Sequence, residues 1–220
     1  PDKHMAILRA LAVHKYGLSR AELSKDKEIG GGSVLTKDLR ELEECGFIRK
    51  YDTFLKQESE NLYQIIDPYT LFCIRFLENR KFDSWKEHIN SPGYNSWKGN
   101  AFEIVCLNHI DQIKKALGIS GMETKVFAWK SKKRSQGAQV DLIIRRKDGV
   151  TNLCEMKYTN KEYSLDENEY KKIQNRLACF EEESDTKDAI HVTLVCGGGY
   201  KHNKYSGIVQ NVITGDDLFD

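Results

Sequence analysis

Near the start of the chain the apolar positions fall at helical spacing. Met5, Leu8, Leu11 and Ala12 mark one face of a first helix, expected to end near Tyr16-Gly17. Ser19-Arg20-Ala21-Glu22 has the form of a capping box, with Leu18 and Leu23 available as a hydrophobic staple, so a short second helix is expected from about Arg20. After Gly30-Gly31-Gly32, Ser33 can cap a third helix with Leu35, Leu39 and Leu42 on its apolar face, ending at Cys45-Gly46. Residues 47–51 and 61–66 read as two strands joined by a polar loop. Three helices and a two-stranded wing over residues 1–66 predict a winged helix-turn-helix.

Asp67-Pro68 is a helix start, with aspartate at the cap and proline at the first helical position. Leu71, Phe72, Ile74, Phe76 and Leu77 make the following helix strongly apolar, and Phe82, Trp85 and Ile89 predict another short one, closed by Ser91-Pro92-Gly93. Residues 67–96 thus read as a helical bridge. A second domain is expected over residues 97–220. It opens with a helix from Trp97 to about Leu117, on which Glu103 stands four residues before Leu107 and seven before Ile110. Glu103 therefore lies on the stripe that faces the core, where a carboxylate is costly unless hydrogen-bonded or beside a cation. It also reads as a first-turn glutamate tilted to solvent and favoured by the helix dipole. A strand over residues 124–129, the 139–157 segment, a helix capped at Ser164-Leu165-Asp166-Glu167, an interior strand over Ala189–Cys196 and a last strand over residues 211–214 follow. Gly197-Gly198-Gly199 is expected to be a flexible loop, and His191 to be structural.

The 139–157 segment alternates as a β-hairpin. Val140, Leu142 and Ile144 interleave with Asp141, Ile143 and Arg145, and the extended pattern resumes at Leu153-Cys154 after Asp148-Gly149. A two-residue loop at Asp148-Gly149 would set Asp141 opposite Met156 and send Glu155 and Lys157 to the other face. A three-residue loop, Lys147-Asp148-Gly149, with the glycine left-handed, would instead set Asp141 opposite Glu155 and put Lys157 on their face.

Two carboxylates and an amine on one face suit metal-assisted phosphodiester hydrolysis. Mg²⁺ takes carboxylate oxygens and keeps waters, and a neighbouring lysine can orient the attacking water or stabilise charge on the phosphate. The same pattern also reads as a hairpin with a Glu/Lys ion pair and a surface aspartate. Asp141 followed across the hairpin by Glu155-Met156-Lys157 resembles the Asp…Glu-x-Lys signature of the PD-(D/E)XK nuclease superfamily. The whole chain resembles the C-terminal region of a bacterial and archaeal group of AAA+-type ATPases, in which a winged helix and a DUF234-type nuclease-like domain follow the ATPase. The resemblance implies an α+β or α/β chain, with a winged helix-turn-helix followed by a restriction-endonuclease-like αβββαβ domain. It also implies Mg²⁺ or Mn²⁺ held by Asp141, Glu155 and Glu103, with Lys157 as the further catalytic residue.

Composition adds context. The 220 residues are 40% hydrophobic and 30% charged with a net charge of +1, and no apolar run approaches membrane-helix length. A cytoplasmic location is the expectation. The six cysteines show no Cys-x-x-Cys spacing, so neither zinc nor a disulfide framework is expected. Basic residues Lys130, Lys132, Lys133 and Arg134 precede the hairpin and would face a polyanion; the same lysine-rich loop also reads as merely solvated. Thr36, Lys37 and Arg40 are the exposed candidates on the third helix. Residues 1–66, however, hold 11 Lys/Arg and 11 Asp/Glu, which is no footprint for duplex DNA, so docking on a protein is weighed equally. No Gly-x-x-x-x-Gly-Lys-Ser/Thr occurs, so ATPase activity would belong to sequence outside this chain, which is expected to be a piece of a longer polypeptide. Two functions follow: a metal-dependent nuclease acting on nucleic acid, with DNA the expected substrate, or a non-catalytic module that binds nucleic acid or protein and regulates the ATPase.

Overall fold

The computed structural model describes residues 2–51, 61–78, 84–89, 91–131 and 138–220. The chain is a mixed α+β protein that divides into two compact units, Pro1–Asn108 and His109–Asp220.

The first unit begins with α1 (Asp2–Ala12), β1 (Leu18–Ser19), α2 (Arg20–Leu23), α3 (Gly32–Glu44), β2 (Ile48–Tyr51) and β3 (Leu62–Ile65). The capping box forms as the spacing predicts: Ser19 Oγ accepts from the Glu22 amide at 3.2 Å, and Glu22 Oε2 accepts from the Ser19 amide at 2.7 Å. Leu35, Leu39 and Leu42 are buried against Ile7, Leu8 and Leu11 of α1. Several details differ from expectation. α1 stops at Ala12, well before Tyr16. α3 is entered through Gly31 and Gly32, the latter at φ +74°, so the glycines supply the turn and Ser33 sits inside the helix rather than capping it. The short β1 was not foreseen; it completes an antiparallel sheet of order β1-β3-β2.

Asp67 caps α4 (Pro68–Phe72), its carboxylate accepting from the amides of Tyr69 at 3.1 Å and Thr70 at 3.0 Å. The helix continues as a π-helical stretch, Cys73–Leu77, and α5 (Trp85–His88) follows. Ser91-Pro92 opens the next helix instead of closing the last: Ser91 Oγ accepts from the Tyr94 amide at 3.2 Å, and proline occupies the first position of α6 (Pro92–Asn108). The expected single helix over 97–117 is broken at His109, whose backbone (φ −116°, ψ 35°) separates α6 from α7 (Ile110–Ala116). The bridge aromatics pack on one another, with Phe72–Trp97 centroids at 5.3 Å and Trp85–Tyr94 at 5.2 Å.

The second unit is a five-stranded mixed sheet in the order β4 (Thr124–Lys130), β5 (Gln139–Arg146), β6 (Val150–Lys157), β7 (Ala189–Cys196), β8 (Asn211–Thr214). The β4–β5 and β5–β6 pairs are antiparallel, and the β6–β7 and β7–β8 pairs are parallel. α8 (Glu167–Ser184) makes the crossover that a parallel β6–β7 pair requires. It buries Ile173 and Phe180, the latter edge-on to Trp129 at 5.3 Å. Its cap is Asp166, whose carboxylate accepts from the Glu169 amide at 2.8 Å; Ser164, expected to start the box, instead accepts from Asn203 Nδ2 at 2.9 Å.

The expectation of a flexible triple-glycine loop is corrected. A Cβ at Gly197 would stand 2.6 Å from the Thr159 carbonyl oxygen, and one at Gly198 2.5 Å from that of Lys161. These glycines let two backbones touch. The crossing is stitched by Tyr163 N donating to Gly199 O at 2.8 Å and Lys201 N to Tyr163 O at 2.7 Å. Among the described residues, no helix is long and apolar enough to cross a membrane.

Gly198→Ala should therefore destabilise the fold by about 1–3 kcal/mol through overpacking. Gly207→Ala, where an added Cβ meets nothing within 4 Å, should stay within about 0.5 kcal/mol of the parent. Urea midpoints at unchanged slope measure both.

Candidate active site

The loop after β5 decides which side chains meet. Gly149 adopts φ +81° and closes the three-residue loop Lys147-Asp148-Gly149, which Arg146 Nε steadies by donating to Asp148 Oδ1 at 3.0 Å. β5 and β6 pair Leu142 with Cys154, Ile143 with Leu153, Ile144 with Asn152 and Arg145 with Thr151. The same register, if carried one residue beyond the last pair, would set Asp141 opposite Glu155. On the other edge of β5 the register shifts: Phe127 pairs with Ile143 and Trp129 with Val140, so two steps on β4 match three on β5. The extra residue falls at Asp141-Leu142, a bulge of the kind that re-aims a side chain.

Glu155 and Lys157 face α8. Glu155 Oε2 accepts from Arg176 Nη1 at 2.6 Å, and Lys157 Nζ lies 3.0 Å from Glu155 Oε1 and 2.6 Å from Glu169 Oε2. Glu169 Oε1 accepts in turn from Lys172 Nζ at 2.6 Å. Asp141 is half-buried, and its Oδ1 accepts from Gln139 Nε2 at 3.2 Å.

The titration behaviour follows from this arrangement. Burial works against the Lys157 ammonium, but Glu155 and Glu169 outweigh it and hold its pKa above the ordinary lysine value. Burial likewise opposes ionisation of Glu169, yet hydrogen bonds from Lys157 and Lys172 keep its carboxyl below the usual range. The Tyr163 phenol beside the network is pushed up to about 12, chiefly by burial, with Lys157 opposing and Glu169 and Glu155 adding.

Glu155 and Lys157 thus share the sheet face that meets α8, and the register, if carried past Leu142, would bring Asp141 to the same face. Glu103 belongs to the first unit, where Lys15 Nζ lies 2.8 Å from its Oε2. Lys15 is the cation that an apolar helix position demands, so helix placement alone gives no ground for a metal at Glu103. Lys37 and Arg40 are exposed on α3, 3.6 Å from Glu41 and 3.7 Å from Glu44, and Thr36 Oγ1 accepts from Arg20 Nε at 3.1 Å. Lys130 is exposed at the end of β4, whereas Lys132, Lys133 and Arg134 lie outside the described residues.

Glu169, Lys172 and Arg176 were missed in the sequence. A signal was present: Glu169, Ile173, Arg176 and Phe180 fall at i, i+4, i+7 and i+11, so two opposite charges interrupt an apolar stripe. As a cation site, Asp141 and Glu155 offer the hard oxygen donors that Mg²⁺ prefers. Both Glu155 oxygens already face cationic side chains, so a metal would have to draw one away from Lys157 or Arg176. Among the described residues of this unit, no three His, Cys, Asp or Glu donors converge.

No family model matches the chain, and no curated protein matches it significantly. It is similar to a crystal structure of AF1548, a protein of unknown function, at 16% identity and a TM-score of 0.34, over 50% of this chain and 56% of that one. A likeness at that level carries no argument about fold or activity.

Lys157→Met should lower stability by about 1.5–3 kcal/mol near neutral pH, the range for hydrogen bonds to charged groups. Because the folded pKa of Lys157 is raised, its contribution is complete below the ordinary value of 10.5 and is lost as pH rises through the folded value. Glu169, with a depressed folded pKa, contributes above 4.5 and loses that contribution as pH falls. The stability gap between parent and Lys157→Met, read by urea denaturation, should therefore narrow above about pH 10.5. A gap constant through that range would show that the lysine contributes only packing.

Proposed function

We propose that the second unit hydrolyses phosphodiester bonds with Mg²⁺ or Mn²⁺ as cofactor, and that the chain is a winged helix-turn-helix joined to a PD-(D/E)XK-like domain. The observation that supports this reading is the hairpin register, which pairs Leu142 with Cys154 and, carried one residue further, would set Asp141 across from Glu155, the carboxylate that Lys157 contacts at 3.0 Å. The order helix, three antiparallel strands, helix, strand also supports it.

Asp141 and Glu155 would hold the cation; Glu103, which has its own cation in Lys15, is left out of the ligand set. A bound divalent ion supplies an acidified water and neutralises phosphate charge. The role of Lys157 follows from its surroundings. Two carboxylates keep its ammonium protonated across neutral pH, so it cannot take a proton from water. It can donate hydrogen bonds, orienting the attacking water or stabilising a phosphoryl oxygen. Arg176, fixed by Glu155, adds a second positive charge for a polyanionic backbone. In the first unit, Lys37 and Arg40 each stand near a carboxylate one turn on, which suits docking to a protein surface, such as an ATPase domain of the same polypeptide, as well as to DNA.

The second reading, a non-catalytic binding or regulatory module, has one observation in its favour: Lys157 and Arg176 satisfy both oxygens of Glu155 without a metal. Cleavage assays separate the two. Labelled single- and double-stranded DNA and RNA should be cut in Mg²⁺ or Mn²⁺ and spared in chelator, and Lys157→Ala, checked for folding by circular dichroism, should cut at least about 100-fold more slowly. Absence of cleavage on every substrate, or equal cleavage by the variant, would overturn the nuclease reading.

A further inference from the structure

We propose that His4, Asp38 and Glu41 form a binding site for a borderline transition cation, with Zn²⁺ as its probe, that clamps α1 to α3 in the first unit. None of the three takes part in the chemistry proposed above. His4 Nε2 lies 3.0 Å from Glu41 Oε2 and 3.6 Å from Asp38 Oδ1. A tetrahedral zinc site with bonds of about 2.0–2.2 Å has ligand-to-ligand edges of about 3.3–3.6 Å; His4 Nε2 stands near that spacing from an oxygen of each carboxylate, and all three donor atoms lie within 4.8 Å of one another.

The missing hydrogen bond at the ring nitrogen points the same way. Nε2 is removed from solvent yet makes no hydrogen bond, although two carboxylates stand close to it. A simple imidazole–carboxylate hydrogen bond would put an oxygen along the ring N–H axis. The 3.0 Å contact with Glu41 does not meet that geometry, so Nε2 stands beside two carboxylates without a hydrogen bond to either. Asp38 and Glu41, three residues apart on α3, project from the same face. His4 comes from α1, so one cation would tie the two helices together. One imidazole nitrogen with two carboxylate oxygens suits Zn²⁺ or Co²⁺ better than Mg²⁺, which takes oxygen alone. His4 and Glu41 side chains remain 31% and 39% exposed, which leaves room for water to complete the shell. Lys37 Nζ lies 3.6 Å from the other Glu41 oxygen, so the clamp would sit beside the basic positions of α3 and fix the surface they present.

Isothermal titration and thermal melting of the full chain with Zn²⁺ test the site, with Mg²⁺ as contrast and Co²⁺ absorption as a report on coordination number. Zn²⁺ should bind with one high-affinity site in this unit, release protons and raise the melting temperature by mass action. His4→Gln and Asp38→Asn should each weaken uptake by more than the about 10- to 100-fold that loss of a supporting partner causes. Asp141→Asn should leave it unchanged, which separates this site from the proposed nuclease site. Cys45 is exposed, so Cys45→Ser is the control for adventitious thiol binding. Retention of the full Zn²⁺ response in His4→Gln, its loss in Cys45→Ser, or no response in the parent would overturn the proposal and leave an ordinary ion pair between α1 and α3.

Discussion

Side chains on a strand alternate with a period of two, so the turn before β6 fixes what every later residue of that strand faces. Gly149 in the left-handed conformation makes the loop three residues long. One residue fewer would have turned Glu155 and Lys157 away from α8 and brought Cys154 and Met156 in their place. With the observed parity, two charged groups enter the layer between sheet and helix, and the helix has to answer them. It does so with Glu169, Lys172 and Arg176 on the stretch that crosses β6.

The resulting network is close to electroneutral. Glu155 and Glu169 face Lys157, Lys172 and Arg176, which limits the cost of holding these ionic groups partly out of water. It also sets up a competition. Glu155, one of the two carboxylates that keep Lys157 charged, is also one of the two proposed to hold a divalent cation, so cation binding and the internal ion pairs would draw on the same oxygens. Phosphate entering beside Lys157 and Arg176 would relieve that competition by giving the two cations another partner.

The features that were legible in the sequence are those decided within a few residues: the Ser19/Glu22 capping box, the Asp67-Pro68 start, the left-handed glycine at 149 and the alternation that follows it. Their physics is local, and spacing alone reveals it. Partners far along the chain were not legible. Glu103 was seen to need a cation, but Lys15 lies 88 positions away and nothing in the spacing names it. Arg176 is 21 positions from Glu155, and only the interrupted stripe on α8 hinted at it. Ser91-Pro92 was misread because a proline marks both a helix stop and a helix start, and which one holds depends on whether Ser91 finds an amide to cap. The glycines at 197–199 were misread because a one-dimensional pattern shows permissiveness and not crowding; the Thr159 and Lys161 carbonyls that exclude a side chain are distant in sequence.

That crossing has a mechanical consequence. Side-chain contacts can absorb a displacement by changing rotamer, but carbonyl groups resting on glycine α-carbons cannot. A Cβ at Gly215 would likewise stand 2.7 Å from the carbonyl oxygen of Gly197, so the stack runs from the end of β8, through the end of β7, to the residues that follow Lys157. The C-terminal edge of the sheet is therefore geared to the strand bearing the lysine: a shift at one end is handed on as a push, with little slack between the teeth.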